Sequence, residues 1–313
     1  MKTVFIGTPE FGAIILEGLI ESVYKPVLVI TATDKPAGRK QIITPPPVKV
    51  LADKHGIEIK QPEKISDFKS DLFLLKPDMI IVAAYGQIIP KEILDIPKYG
   101  CLNIHPSLLP KYRGASPIQA AILNGDKRTG VTIMLMDEKM DHGQIINQRS
   151  IIIEEKEGAK TLHDKLADLG LNLLLETISN MERGLTKLTP QDDNQATFTK
   201  ILNKAEGIIN WKKSAEMIER EIRAFEYWPG SFTFWTKLNT PLRLKITKAK
   251  VLKSIKGIDF AIGQTFVVQK GGLGIQCGND FLVIERLQLE GKEEISSEEF
   301  LRGYPSFIGA ILK

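Results

Sequence analysis

The sequence predicts an α/β protein in two parts: a doubly wound, mostly parallel sheet covered by helices, then a small β-barrel or sandwich. Two patterns carry that reading. Short β-branched runs alternate with helical stretches up to about residue 182, and strand-like runs separated by Gly-rich turns crowd the last third. A length of 313 residues agrees, being long for one hydrophobic core.

In the first part, Val4–Gly7 and Val27–Thr31 flank a helical stretch from Pro9 to about Ser22. Met79–Ala83 is a third strand-like run and Gly100–His105 a fourth. The first strand-to-helix turn, Gly7-Thr8-Pro9-Glu10-Phe11-Gly12, is neither GxGxxG nor a P-loop, so dinucleotide or ATP binding has no support. Thr129–Leu135 and Gln144–Ile153 are further strand-like runs. Leu162, Leu166, Leu169 and Leu173 then recur at helical spacing, predicting a helix from about Thr161 to Met181. Residues 183–208 lose apolar periodicity and gain Pro190, Asp192, Asp193, Asn194 and Gln195, the composition of a linker. Beyond it, Ala215, Ile218, Ile222 and Phe225 mark one face of a short helix that ends before Trp228-Pro229-Gly230. Strand-like runs follow at 231–236, 242–252, 263–268, 273–277 and 281–289. The expected domains are therefore 1–182 and 209–313, joined by 183–208.

With 43% hydrophobic and 26% charged residues, the composition is that of an ordinary globular protein. No apolar run approaches the roughly 20 residues that span a bilayer, and the opening apolar stretch is too short for a signal peptide. Cys101 and Cys277 have no CxxC spacing, so neither a disulfide framework nor a metal site is expected. These features point to a cytoplasmic protein with no membrane partner, and a monomer is expected. Residues 204–313 hold 17 Lys+Arg against 13 Asp+Glu. Within them, positions 236–256 contain Lys237, Arg243, Lys245, Lys248, Lys250, Lys253 and Lys256 and no acidic residue. Such a stretch is either a solvated strand face or a surface that attracts a polyanion.

The residues that carry chemistry end the fourth strand. Asn103 and His105 lie two apart, so both project from one face of a strand, and Pro106 then turns the chain out of the sheet. Strand ends of this kind are where open α/β sheets hold ligands. An isolated Asn-x-His is more often a core pair than a site. Here, however, Ser107-Leu108-Leu109-Pro110 follows at once, and Asp141-His142-Gly143 follows later.

Those three elements, in that order, resemble the signature of the folate-dependent formyltransferases, whose branches act on glycinamide ribonucleotide, methionyl-tRNA and sugar amines. Over nearly the whole chain the resemblance is to the methionyl-tRNA branch. Gly7-Thr8-Pro9-Glu10-Phe11 is similar to its opening turn, and Ala84-Tyr85-Gly86-Gln87-Ile88-Ile89-Pro90 to a folate-pocket loop. Residues 34–49, from Asp34-Lys35-Pro36-Ala37-Gly38-Arg39-Lys40 to the Pro45-Pro46-Pro47 triplet, resemble its basic insertion loop. Ile209-Asn210-Trp211, Trp228-Pro229-Gly230 and Phe300-Leu301-Arg302-Gly303 are similar to its C-terminal part.

The resemblance implies a Rossmann-like catalytic domain and an OB-like C-terminal barrel that binds tRNA. It implies transfer of the formyl group of 10-formyltetrahydrofolate to the α-amine of initiator methionyl-tRNA, for translation initiation, with no metal. A sugar-nucleotide N-formyltransferase is the alternative, although that branch generally lacks the basic insertion. Asn103 and His105 are the implied oxyanion donors, and Asp141 the carboxylate that favours a charged His105 and accepts the amine's proton. Tyr85, Gly86, Ile88, Ser107, Leu108, Leu109, Pro110 and Met140 are the implied folate contacts. Lys35, Arg39 and Lys40 in the insertion, with Lys245, Lys248 and Lys250 in the C-terminal stretch, are the implied tRNA contacts. His142 departs from the family pattern, and its neighbouring chain position points it away from His105. His55 and His163 read as surface or capping residues.

Overall fold

The computed structural model describes residues 1–38, 41–237, 240–254, 260–268 and 271–313. Up to residue 200 the elements are β1 (Thr3–Gly7), α1 (Glu10–Ile20), β2 (Leu28–Ile30), β3 (Lys35–Ala37), β4 (Ile42–Thr44), α2 (Pro47–Lys54) and β5 (Glu58–Lys60). They continue with α3 (Lys69–Leu75), β6 (Met79–Ala83), α4 (Lys91–Leu94), β7 (Cys101–His105), β8 (Arg113–Gly114) and α5 (Pro117–Leu123). Then come β9 (Arg128–Leu135), β10 (Gln144–Ile152), α6 (Ala159–Glu182) and β11 (Phe198–Thr199).

One seven-stranded sheet has the order β10-β9-β7-β6-β1-β2-β5. The five strands from β7 to β5 run parallel, while β9 and β10 are antiparallel additions. The parallel strands at its centre are apolar without alternation because helices cover both faces: every residue of β1, β6 and β7 is buried. That reproduces the doubly wound, mostly parallel domain expected from the sequence. The elements β5, α2, α3 and the β3–β4 hairpin are too short to announce themselves by periodicity.

The second compact unit holds α7 (Ala215–Ala224), β12 (Ser231–Lys237), β13 (Thr240–Leu252), β14 (Thr265–Val267), β15 (Leu273–Gln276), β16 (Phe281–Leu289), β17 (Glu294–Ser296) and α8 (Ser297–Gly303). Its sheet is antiparallel, in the order β12-β13-β16-β15-β14 with β17 on β16. Trp235 sits at the centre of its core, edge-on to Phe300, Tyr304 and Phe307. Residues 310–313 reach both outer strands. Phe234 of β12 exchanges backbone hydrogen bonds with Lys313 (3.0 and 3.2 Å), while Leu312 donates to the carbonyl of Gly263 (3.0 Å) and Thr265 of β14 to that of Ala310 (2.9 Å). The tail thus satisfies the backbone of two edges that would otherwise be open.

The compact units do not follow the sequence boundaries. The first comprises 1–117, 127–153 and 161–200, and the second 118–126, 154–160 and 201–313. Arg223 draws 154–160 into the second unit by donating to the Glu157 carbonyl (2.8 Å). Residues 189–200, inside the expected linker, belong to the first unit because β11 pairs with β8 and Thr189 bridges Ile145. A segment without periodicity can still be anchored through its backbone, which a hydrophobicity pattern does not register.

Leu312 is 4% exposed in the second core. Leu312→Ala should therefore destabilise that unit by about 2–5 kcal/mol in urea unfolding followed by tryptophan fluorescence. Leu252→Ala, at a partly exposed strand end, should change it by less than about 0.5 kcal/mol. Equal, small effects would mean that the tail does not close the sheet.

Candidate active site

Polar side chains inside a sheet are stable only when paired, and β7 carries two of them. Cys101, Asn103 and His105 share one face of β7, and Asn103 and His105 are only 9% and 4% exposed. Their partner arrives on the connection between β9 and β10, which lies against β7 because Met136 donates to the Cys101 carbonyl (2.9 Å). From this connection Asp141 turns its carboxylate toward the strand. Asn103 Nδ2 donates to Oδ1 (3.2 Å), His105 Nδ1 lies 3.6 Å from the same oxygen, and the Gly114 N–H donates to Oδ2 (2.8 Å). The three residues singled out in the sequence therefore meet around one carboxylate.

The imidazole's orientation is fixed from its other side. His105 Nε2 donates to the Tyr112 carbonyl at 3.0 Å, and because a carbonyl only accepts, Nε2 must carry a proton. Only Nδ1 then remains to act toward a ligand, across the 3.6 Å gap to Asp141. Asn103 spends one amide hydrogen on Asp141 and keeps the other for a ligand.

The backbone around these groups is forced. Asp141 (φ 49°), Tyr112 (φ 63°) and Gly114 (φ 111°) all have positive φ. For a non-glycine residue that conformation persists only where surrounding bonds hold it. The Gln191 amide supplies such bonds, donating to the carbonyls of Asp141 (2.9 Å) and Gly143 (2.7 Å). Its Oε1 accepts from Nε of Arg113 (3.0 Å), and Arg113 Nη2 reaches Asp193 (2.8 Å). Arg113 is 3% exposed, and its hydrogen bond holds the Asp193 carboxyl below the usual carboxylate range. The sequence reading missed Arg113, Gly114 and Gln191. An Arg-Gly pair soon after the Ser-Leu-Leu-Pro segment was the one available signal, and nothing local marks Gln191.

A cleft of about 360 Å³ opens between α4, the start of β7 and the beginning of the β9–β10 connection. Leu94, Cys101, Leu135 and Met136 form apolar wall, and Asp137 and Lys139 lie among its polar lining. None of the residues suggested for folate lines this cleft. Tyr85 is buried with an unpartnered hydroxyl, pushed up to about 12 by burial, and Leu109 is 3% exposed with its N–H on Thr132. Ser107 is buried and donates to the Lys111 carbonyl. Leu108 and Pro110 are half-buried, Gly86 has φ 86° with open space where a side chain would be, and Ile88 and Met140 are exposed. The cleft wall contributed by α4 and the start of β7 escaped the sequence reading, because Leu94 and Cys101 look there like ordinary core residues.

The basic candidates also separate. Lys35 is exposed on the β3–β4 hairpin, whose root is fixed by Asp34, while Arg39 and Lys40 lie outside the described residues, as does Lys256. Hydrogen bonds from Gln61 and then Lys49 hold the Asp34 carboxyl below the usual range. On β13, Lys245 is half-buried, whereas Lys248 and Lys250 are exposed and lie 3.3 and 3.5 Å from Glu285 of β16. Lys253 pairs with Glu216 and Asp280. The stretch is therefore not one-signed in space, because neighbouring elements bring carboxylates to it. His142 points away from His105, with Nδ1 2.5 Å from Asp137 and Nε2 3.5 Å from Asp193. His163 pairs with Asp164, and His55 caps α2 with its buried Nε2 unpartnered.

A doubly wound domain with a buried Asn-His-Asp cluster at a strand end is an arrangement suited to an enzyme that binds its ligand at the ends of the sheet strands. The family of such enzymes is identified by comparison. The formyl transferase model matches residues 1–178, and the formyl transferase C-terminal domain model matches residues 201–305. The chain belongs to the formyl transferase family. It is 43% identical to the methionyl-tRNA formyltransferase of Caldanaerobacter subterraneus subsp. tengcongensis, covering 100% of both chains. To that of Citrifermentans bemidjiense it is 41% identical, covering 100% of this chain and 96% of the relative. Among solved structures, the N-formyltransferase from Helicobacter canadensis with folinic acid and dTDP-3-aminofucose has a TM-score of 0.66 at 20% identity. That match covers 94% of this chain and 100% of the other, a likeness of fold.

A methyl group at Gly114 would fall 2.3 Å from the Thr199 carbonyl oxygen, at a φ that L side chains rarely adopt. Gly114→Ala should therefore destabilise the first unit by about 1–3 kcal/mol in urea unfolding. An unchanged midpoint would show that this backbone approach is not constrained.

Proposed function

We propose that this protein transfers the formyl group of 10-formyltetrahydrofolate to the α-amino group of initiator methionyl-tRNA in the cytoplasm. The observation that carries the reading is the meeting of Asn103, His105 and Asp141 around one carboxylate, in a chain alignable end to end with methionyl-tRNA formyltransferases. The cleft at the start of β7 suits a flat heteroaromatic ring, since Leu94, Cys101, Leu135 and Met136 supply apolar walls and the residues from Asp137 to Lys139 supply polar groups. Bound there, the folate supplies the formyl carbon. Among the described residues no helix is long and apolar enough to cross a membrane.

Each member of the cluster then has a role set by its surroundings. Asn103, with one amide hydrogen uncommitted, donates to the formyl oxygen as negative charge develops on it. His105 has only Nδ1 available, and it adds a second donor when that nitrogen is protonated. The Asp141 carboxylate faces Nδ1, orients both donors and takes the proton lost by the attacking amine; the bond from the formyl carbon to folate N10 then breaks, and N10 leaves with that proton. Gly114 N–H donates to one oxygen of Asp141 and Asn103 to the other, which fixes the direction in which the carboxylate faces. The tRNA backbone meets charge at Lys35, Arg39 and Lys40 and at Lys245, Lys248 and Lys250. Such contacts position a nucleic acid without reading its sequence.

Labelled formyl transfer to methionyl-tRNA, measured beside a sugar-amine nucleotide, tests the reaction. Transfer to the sugar alone would overturn the choice of acceptor. Asn103→Ala, His105→Ala and Asp141→Asn should each lower turnover by roughly two orders of magnitude or more, with folding retained. Near-normal turnover in the His105 variant would contradict the assigned roles.

The Glu285 pairing gives a test of sign. Lys248→Ala and Lys250→Ala should raise the tRNA KM and flatten its salt dependence by about one unit of slope per contact. Glu285→Ala should do the opposite and lower the KM, because it frees both ammonium groups. If all three changes act in the same direction, this strand is not a phosphate platform.

A further inference from the structure

We propose that Gln191 is a positioning residue for the transfer reaction, strapping the loop that carries Asp141 into its working conformation, with Arg113 locking the strap. The proposal rests on the role given above to Asp141.

Three independent features of the site converge on it. Asp141 sits at φ 49°, a conformation a non-glycine residue leaves unless it is held. The bonds that hold its backbone come from one side chain: the two N–H groups of Gln191 reach the Asp141 and Gly143 carbonyls at 2.9 and 2.7 Å, bracketing His142. The orientation of that amide is set chemically. A flipped amide would aim its oxygen at two carbonyls and its nitrogen at a guanidinium, so Arg113 Nε, donating to Oε1 at 3.0 Å, selects the observed one.

Arg113 in turn is 3% exposed, and a buried guanidinium is stable only when its donors are met. Gln191 and Asp193, both on the strap, meet the donors on Nε and Nη2. The rest of the strap is zipped to the segment that holds Asp141 from its other side. Thr197 accepts from the Arg113 N–H at 2.9 Å, Thr199 Oγ1 accepts from the Ser116 N–H at 3.1 Å, and Gly114, between them, donates to Asp141. Residues 189–199 thus grip both the backbone of Asp141 and the donor to its carboxylate. Gln191 touches none of the groups assigned to the reacting atoms except through the Asp141 carbonyl, so its effect is on placement.

Placement makes a distinct kinetic prediction. Gln191→Ala should lower kcat about tenfold or more, because the carboxylate is no longer aligned, while KM for both substrates stays within about twofold. Gln191→Glu keeps shape and the Arg113 bond but turns a donor into an anionic oxygen against two carbonyls. It should lose at least as much kcat as the Ala variant at near-native melting temperature, which a merely structural role would not produce. Because Gln191 acts through Asp141, adding Gln191→Ala to Asp141→Asn should reduce turnover no further. Wild-type kcat in both single variants, or full additivity in the double variant, would overturn the proposal. If Asp141→Asn alone left turnover unchanged, the role of Asp141 itself would fall, and the positioning proposal with it.

Discussion

The candidate site is organised around the Asp141 carboxylate, which partners two buried polar groups and is itself held by a chain of contacts behind it. Asn103 and His105 are polar groups on a buried strand, where their neighbours in the sheet are apolar. Asp141 gives them a common partner, and the penalty for burying them becomes a fixed geometry instead of a local weakness. Asp141 itself can serve only from a left-handed backbone, which the Gln191 amide holds. That amide is oriented by Arg113, whose burial is tolerable because Gln191 and Asp193 answer its donors. Each unfavourable choice is stabilised by the next, and the sequence ends in an exposed carboxylate that needs no further support.

Topology explains why this carboxylate lies beside β7. Had the chain added another parallel strand after β7, the connection would have crossed over a helix and left the face of β7 covered. Instead β9 returns antiparallel, pairing Leu135 with Leu102 and Thr132 with His105. The connection to β10 therefore starts beside Cys101 and turns back within reach of Asn103 and His105. The same arrangement leaves a gap between that connection, α4 and the start of β7, which is the cleft. Site and pocket both follow from the switch from parallel to antiparallel pairing at the edge of the sheet.

Much of this was legible in the chain. The alternation of apolar runs located β1, β6, β7, β9, β10 and α6, and strand periodicity put Asn103 and His105 on one face. The parts that escaped are those whose meaning lies in a distant partner. Gln191 sits in a polar stretch with no periodicity, and its importance comes from carbonyls 48 and 50 residues away. Leu94 and Cys101 look like core residues because they are apolar, and only the packing of α4 leaves space against them. Residues 310–313 are too short a run to show a strand pattern, although their backbone spans two sheet edges.

The basic stretch shows the same limit from the electrostatic side. Along the chain, positions 236–256 have no acidic residue, but an antiparallel sheet sets each strand beside a partner with its own charges. Glu285 on β16 lies between the reach of Lys248 and Lys250, and Asp280 and Glu216 meet Lys253. Exposed pairs of this kind are weak, about 0–1 kcal/mol, so a polyanion can displace the carboxylate without a large penalty. A surface built this way has less long-range pull than its lysine count implies, since each carboxylate cancels part of the field at a distance. At contact, a phosphate competes with Glu285 for the same ammonium groups. Such a surface favours an anion already held at another point over a free one, because the tether replaces the missing long-range attraction.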